Sequence, residues 1–371
     1  MSGSKGTASS EIYIGLMSGT SLDGVDAALV DLRRRRPVLL GTAFLPYPEK
    51  LKAALLALHE PSRDELHRAS LTGIELSELY AKAVRRLLAK HRVQARSVSA
   101  IGCHGQTVRH RPESGYSLQL GNPAWLAERT GISVVTDFRS RDIAAGGQGA
   151  PLVPAFHASV FRDSRLHRAI VNLGGIANLT DLPPSGPVTG FDTGPGNVLL
   201  DAWVRERCGR DFDRGGLLAS RGRPIERLLK ALLADPYFRR PPPKSTGRHH
   251  FSLGWLRGFG AARHKTEDVQ ATLAELTARS VGRAIAGFCR GAREVYLCGG
   301  GVHNSDLVAR ISRALPGVGV ASTAKLGVHP DWVEAIAFAW LAQRALRREA
   351  ANLPEVTGAA KPRVLGAIYA A

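Results

Sequence analysis

Gly190-Phe191-Asp192-Thr193-Gly194-Pro195-Gly196-Asn197 sets one carboxylate inside a run of turn formers. Glycine lets backbone N–H groups approach a ligand, and Thr193 adds a hydroxyl. Phosphoryl transfer uses that combination: donors for phosphate oxygens, and a carboxylate that takes a proton or holds a metal. The same stretch also reads as a plain Asp-Thr-Gly turn between two elements. Near the N-terminus, Met17-Ser18-Gly19-Thr20-Ser21-Leu22-Asp23-Gly24-Val25-Asp26 repeats the chemistry.

The chain has 371 residues, long for one core, which predicts two domains. It is 44% hydrophobic and 22% charged, the balance of a globular protein. No apolar run reaches the roughly 20 residues of a membrane span. The first ten residues are small and polar, without the apolar core of a signal peptide. Cys103, Cys208, Cys289 and Cys298 lack metal-ligand spacing, and scattered thiols suit a cytoplasmic protein. The net charge of +18 admits a nucleic-acid partner, or an arginine-rich compositional bias with an anionic substrate. The dense basic run, Arg33 to Arg36, lies between two apolar stretches with no aromatics interleaved, and reads as a solvated hairpin tip. Neither a membrane nor a nucleic acid is the expected partner.

Strands are expected at Ile12 to Leu16 and Val25 to Leu32, forming a hairpin around the first glycine turn. Leu51 to His59 and Ser70 to His91 have helical periodicity. Val98 to Cys103 is a buried strand that delivers His104-Gly-Gln106. Asn122 is placed to cap a helix from Pro123. Ile132 to Thr136 delivers Asp137-Phe-Arg139, and Gly146 to Gly149 reads as a hinge. The pattern then restarts. Arg168 to Leu173, Gly174-Gly175 and Leu179 to Leu182 form a second hairpin. Val269 to Phe288 is a long helix. Val295 to Leu297 runs into Gly299-Gly300-Gly301, Ser305 to Ala314 is the next helix, and a last one starts at Pro330. Alternating strands and helices predict an α/β fold with mixed sheets, and the two hairpins suggest a weak duplication of pattern.

Taken together, the ordered motifs from Met17 to Ala342 resemble the anhydro-N-acetylmuramic acid kinases, within the sugar-kinase, chaperone-ATPase and actin superfamily. They include Met17–Asp26, His104–Thr107, Asp137–Pro154, Asn172–Thr180, Gly190–Asn197, Pro241–Arg248 and Gly299–Asn304. The resemblance implies an actin- or hexokinase-like two-domain ATPase with ribonuclease-H-like cores and a central cleft. Its domains would be residues 1–141 with 353–371, and 142–352. It implies ATP and Mg²⁺, a homodimer, and a reaction in which ATP, water and 1,6-anhydro-N-acetylmuramate give N-acetylmuramate 6-phosphate and ADP. The biological role would be recycling of the bacterial cell wall.

Gly19, Thr20, Ser21, Leu22, Asp23, Gly24, Val25 and Asp26 form the expected first phosphate loop. Asp23 or Asp26 is a candidate for Mg²⁺, directly or through water, and equally for a turn or strand role. Asn172, Gly174 and Gly175 resemble the second phosphate hairpin, where many relatives carry Asp; the neutral Asn172 argues against a metal there. Gly299, Gly300 and Gly301 are expected on adenosine, or equally at a tight turn or helix approach. His303 and Asn304 read as caps of the following helix. Arg139 suits the lactyl carboxylate of the sugar, with a salt bridge to Asp137 or Asp142 as the alternative. The resemblance sets Ser18, His104 and Gln106 at the sugar and Glu334 beside Asp192; a structural histidine and a helix-start acid are the alternatives. After Lys244-Ser-Thr-Gly-Arg248 the family tends to have an acid, where this chain has His249.

Asp192 would take a proton from the water that opens the anhydro bridge, with Glu334 as helper. Domain closure would then exclude bulk water. Another sugar or carboxylate kinase would keep the ATP loops and lose the water step. A nucleotide-gated binding module would need a peptide-binding domain after the ATPase core, and the chain ends at Ala371.

Overall fold

Tyr13, Ile14 and Leu16 are buried in β1 (Ile12–Met17), the mark of a central strand covered on both faces. The structure is a computed structural model that describes residues 11–19 and 22–371. Its packing separates two units, Met1–Phe156 with Trp332–Ala371, and His157–Asp331.

In the first unit β1 pairs antiparallel with β2 (Gly24–Asp31), and β2 with β3 (Val38–Pro46). On its other side β1 runs parallel to β4 (Ala100–Cys103). A small hairpin follows, β5 (Gln106–Arg111) with β6 (Tyr116–Leu120). The sheet then continues through β7 (Val134–Thr136), parallel to β4, to the antiparallel C-terminal strand Ala367–Tyr369. Ile14 and Leu16 pack with Leu76, Tyr80 and Val84 of the helix Glu65–His91.

Gly15 points the opposite way, at the helix Val333–Leu346. A Cβ there would sit 1.7 Å from the Ala335 carbonyl oxygen. At Gly102 a Cβ would sit 2.0 Å from the Phe338 carbonyl oxygen. Strand and helix backbones touch, which only glycine permits.

The second unit repeats the plan. β8 (Arg168–Leu173), β9 (Ile176–Leu182) and β10 (Thr189–Pro195) are antiparallel neighbours. β8 runs parallel to β11 (Glu294–Cys298), and β11 to β12 (Gly319–Ser322). Val171, Leu173, Leu179, Phe191 and Leu297 share a core with Val281 and Ile285 of the helix Thr266–Phe288. The orders β3-β2-β1-β4-β7 and β10-β9-β8-β11-β12 match strand for strand. This is the ribonuclease-H-like arrangement in both units, so the suggested duplication is one of topology.

The unit edges differ from those expected. Residues 142–156 and 332–352 group with the first unit. One reason is the contact of the Val333–Leu346 helix with β1 and β4. The other is Asp142, fully buried, whose Oδ1 accepts from Asn352 Nδ2 at 2.6 Å and Thr357 Oγ1 at 2.8 Å. Its Oδ2 accepts from the Gly149 N–H at 2.7 Å, so Gly146 to Gly149, expected as a hinge, is pinned within one unit. Arg33 to Arg36 are exposed between β2 and β3, as the hairpin-tip reading expected. Among the described residues no helix is long and apolar enough to cross a membrane.

Candidate active site

Asp192 lies where β10 bulges: its register against β9 shifts between Asp192 and Gly194. A bulge re-aims side chains, and here it leaves Thr193 buried, its hydroxyl donating to the Ala177 carbonyl at 3.2 Å. Asp192 is tied on three sides. Its N–H donates to the Lys244 carbonyl at 3.1 Å, and its carbonyl accepts from the Tyr237 hydroxyl at 2.6 Å. Its Oδ2 accepts from the Thr246 N–H at 3.0 Å. Burial pushes the carboxyl up to about 6, against the opposing Thr246 N–H and Lys244 charge. Lys244 is held by the Tyr237 carbonyl at 3.3 Å and lies 4.8 Å from that ring. Reading the sequence found Asp192 but not Tyr237, Lys244 or Thr246. The one available signal was the Pro-Pro-Pro-Lys-Ser-Thr-Gly segment. His249, in place of the expected acid, is exposed.

Two glycine turns of the second unit are knitted together. Gly196 N–H donates to Gly175 O at 2.9 Å, and Asn197 N–H to Gly174 O at 2.8 Å. Asn197 Nδ2 reaches Leu173 O at 3.0 Å. Gly174 and Gly175 have no atom nearer than 3.6 Å to an added Cβ, so no neighbour packs closely over the tip of the β8–β9 hairpin. Beside it, Asn172 Oδ1 is buried with no hydrogen-bond partner among the described residues.

The Gly299–Gly301 turn packs there. A Cβ on Gly299 would fall 2.2 Å from Asn172 Oδ1, and one on Gly301 2.6 Å from Leu173 Cβ. Close packing thus accounts for Gly299 and Gly301, while Gly300 faces open space. Asn304 caps the helix Ser305–Ala314 through Leu307 N–H at 3.0 Å. His303, expected as a second cap, instead pairs with Asp331 at 2.6 Å. Asp201, one turn past Asn197, was missed; burial pushes its carboxyl up to about 6, with Arg205 and Arg248 opposing.

The first unit gathers a second polar cluster. His104 Nδ1–H donates to Ser18 O at 3.2 Å, and its Nε2 accepts from Arg139 Nη2 at 2.8 Å. Both ring nitrogens are used by a neutral imidazole, and burial, with the Arg139 charge, pushes His104 down to about 3. Gln106 Nε2 donates to Gly19 O at 3.1 Å, and its Oε1 accepts from Tyr47 at 3.1 Å. The hydroxyls of Ser18 and Tyr80 lie 2.7 Å apart.

Arg139 Nη1 donates to Gly149 O at 2.7 Å. Its Nε is buried with no hydrogen-bond partner among the described residues. Burial pushes this guanidinium down to about 10, with Glu334 the larger and Asp142 the smaller opposing charge. The alternative salt bridges do not form: Asp137 accepts from Ser140 at 2.5 Å, and Asp142 holds Gly149, Asn352 and Thr357. A cavity of about 280 Å³, also missed, borders Cys103 and Gly105 and reaches Asn122, Asp137 and Ser140.

Of the first phosphate loop, Thr20 and Ser21 lie outside the described residues. Leu22, with φ 55°, and Val25 bury their side chains in the core; the Leu22 N–H donates to Gly19 O at 3.4 Å, and Val25 stands opposite Leu45 in the β2–β3 ladder. Gly24 opens β2. Asp23 is exposed, with its carbonyl accepting from Tyr47 N–H at 3.0 Å, and Asp26 is half-buried within β2. Among the described residues no three His, Cys, Asp or Glu side chains cluster to hold a metal. Asp23 and Asp26 are the carboxylates at this loop, and one or two carboxylates completed by phosphates and water is a donor set that Mg²⁺ takes.

A family model described as anhydro-N-acetylmuramic acid kinase matches residues 11–371. A protein of that description from Nitrosospira multiformis is 55% identical over 361 residues, 97% of this chain and 99% of the relative. One from Thiobacillus denitrificans is 55% identical over 370 residues, 98% of this chain and 99% of the relative. Among solved structures, a ROK hexokinase from Thermus thermophilus covers 90% of this chain at 17% identity, with 99% of that chain covered and a TM-score of 0.37.

Proposed function

The chain belongs to the anhydro-N-acetylmuramic acid kinase family, and from that premise we propose that it phosphorylates 1,6-anhydro-N-acetylmuramic acid while opening its anhydro bridge. The reaction consumes ATP and water and yields N-acetylmuramate 6-phosphate and ADP, in the cytoplasmic recycling of cell-wall sugar. The supporting observation is Asp192: a half-buried carboxylate, clamped by one backbone N–H, with its pKa raised toward neutrality.

Water forms the new bond to the anomeric carbon and gives its proton to Asp192, with Glu334 as helper. The C1–O6 bond breaks, and the freed O6 attacks the γ-phosphorus of ATP as ADP leaves. The first glycine turn, Gly19 to Asp26, with Gly174 and Gly175, receives the phosphates, and Gly300 borders adenosine. Asn172 Nδ2 is a neutral donor suited to a phosphate oxygen. Asp23 or Asp26 would hold Mg²⁺, directly or through water, and the ion when bound neutralises charge on the transferring group. Arg139 takes the lactyl carboxylate, with Ser18, His104 and Gln106 around the sugar.

Arg139→Ala is expected to raise KM for the anhydrosugar about 30-fold, on the order of 2 kcal/mol, with KM for ATP within a few-fold. Steady-state kinetics with each substrate varied will show it. Equal rises for both substrates would mean that Arg139 serves His104 and Gly149 rather than the sugar.

A kinase for another sugar or a carboxylate would use the same residues without the water step. Reaction in ¹⁸O-water separates the two readings. Label is expected at the anomeric oxygen of the sugar phosphate and not in the phosphoryl group, because O6 comes from the sugar. Sugar phosphate with an intact bridge and no label would establish the plain kinase instead. Label in inorganic phosphate would mean simple ATP hydrolysis.

A further inference from the structure

The segment opposite Asp192 carries a hydroxyl with no assigned task. Thr246 donates its N–H to Asp192 Oδ2, while its own Oγ1 is buried without a hydrogen-bond partner among the described residues. A buried hydroxyl left unpaired in the free protein costs stability, so its retention calls for a partner that arrives with the substrate.

The segment itself is well anchored. Lys244 O accepts the Asp192 N–H, the Lys244 ammonium is held by the Tyr237 carbonyl, and Tyr237 returns a bond to the Asp192 carbonyl. Thr246 is thus fixed against the carboxylate by a closed ring of contacts rather than hanging on a free loop. Asp192 Oδ2 is engaged, and Oδ1 accepts no bond among the described residues.

We propose that Thr246 is a further catalytic residue. Its N–H locks Oδ2, which aims Oδ1 at the attacking water, and its hydroxyl accepts or donates the second hydrogen bond that orients that water. The water's proton passes to Oδ1 as its oxygen bonds to the anomeric carbon. Two fixed contacts restrict the water to one line of attack, which lowers the entropic part of the barrier. The inference rests on Asp192 being the base.

Thr246→Val keeps the shape and the backbone N–H and removes only the hydroxyl. Its kcat is expected to fall on the order of 10- to 100-fold, with KM for sugar and ATP within about 2-fold and a melting temperature equal to or above the parent's, since the unpaired hydroxyl is gone. Thr246→Ser restores the hydroxyl without the methyl, and its kcat is expected within about 3-fold of the parent. A merely structural threonine would give the reverse order, Val tolerated and Ser impaired, and that result would overturn the proposal, as would full turnover in Thr246→Val. Asp192→Asn is assayed in parallel. If it stays active, the base assignment itself falls and this proposal with it. If it is inactive while Thr246→Val turns over normally, only the role of Thr246 is lost.

Discussion

Asp192→Asn is expected to lower turnover by about 10²–10⁴-fold while leaving ATP affinity near that of the parent. The amide keeps the shape and can still accept from the Thr246 N–H, but it cannot take a proton from water. In the parent, Asp192 must be ionised to act, so with its carboxyl pushed up to about 6 the rate should fall as pH drops through that value. Stability moves the other way. An acid raised by folding is disfavoured when charged, so its ionisation costs stability above about pH 6, and the cost vanishes below the unfolded value of about 3.9. The variant should therefore be more stable than the parent at pH 8, by on the order of 2 kcal/mol, with the gap closing toward pH 4. Single-turnover kinetics and melting curves at the two pH values check both halves. Activity within a few-fold of the parent would remove Asp192 from its role. An equal melting temperature at pH 8 would contradict the burial that raises its carboxyl.

Gly15→Ala is expected to cost about 3 kcal/mol or more and to leave little folded protein at physiological temperature. The new methyl would lie 1.7 Å from the Ala335 carbonyl oxygen and 2.9 Å from Ala339 N, both backbone atoms that no rotamer change moves. Strand and helix would have to separate along the middle of the first unit. The contrast is Gly287→Ala in the helix Thr266–Phe288, where an added Cβ meets nothing within 4 Å. That change should stabilise by roughly 0.5–1 kcal/mol, because alanine loses less backbone entropy in a helix. Urea midpoints of the two variants should shift in opposite directions. A Gly15→Ala midpoint equal to the parent's would show that β1 and the Val333–Leu346 helix are not in backbone contact.

The strands β1, β2, β4, β7, β8, β9 and β11 and the two hairpins were legible along the chain because each is a local property; Thr189–Pro195, read as a run of turn formers, is instead strand β10, since its pairing with β9 is a tertiary contact. β1 and β8 are apolar runs of strand length, and the turns are spelled in glycine and asparagine. The family was legible for the same reason, since its motifs are short and ordered. Asp192 stood out as an acid among turn formers, but nothing near it in sequence announced its holder, Thr246, 54 residues further on. Arg139 offered Asp137 and Asp142 as neighbours, and tertiary packing gave it His104 and Gly149 instead, because both acids were already engaged by Ser140, Asn352 and Thr357. The Gly-Gly-Gly turn reads as three equal residues, yet packing against Asn172 and Leu173 occupies two and leaves only Gly300 facing open space. The unit edges moved for a related reason: helical periodicity shows that Val333–Leu346 has an apolar face, and only the glycines of β1 and β4 decide which sheet it lies on. Local propensity and pattern settle which element forms, while partners distant in the chain are chosen by shape and by which polar groups remain to be satisfied.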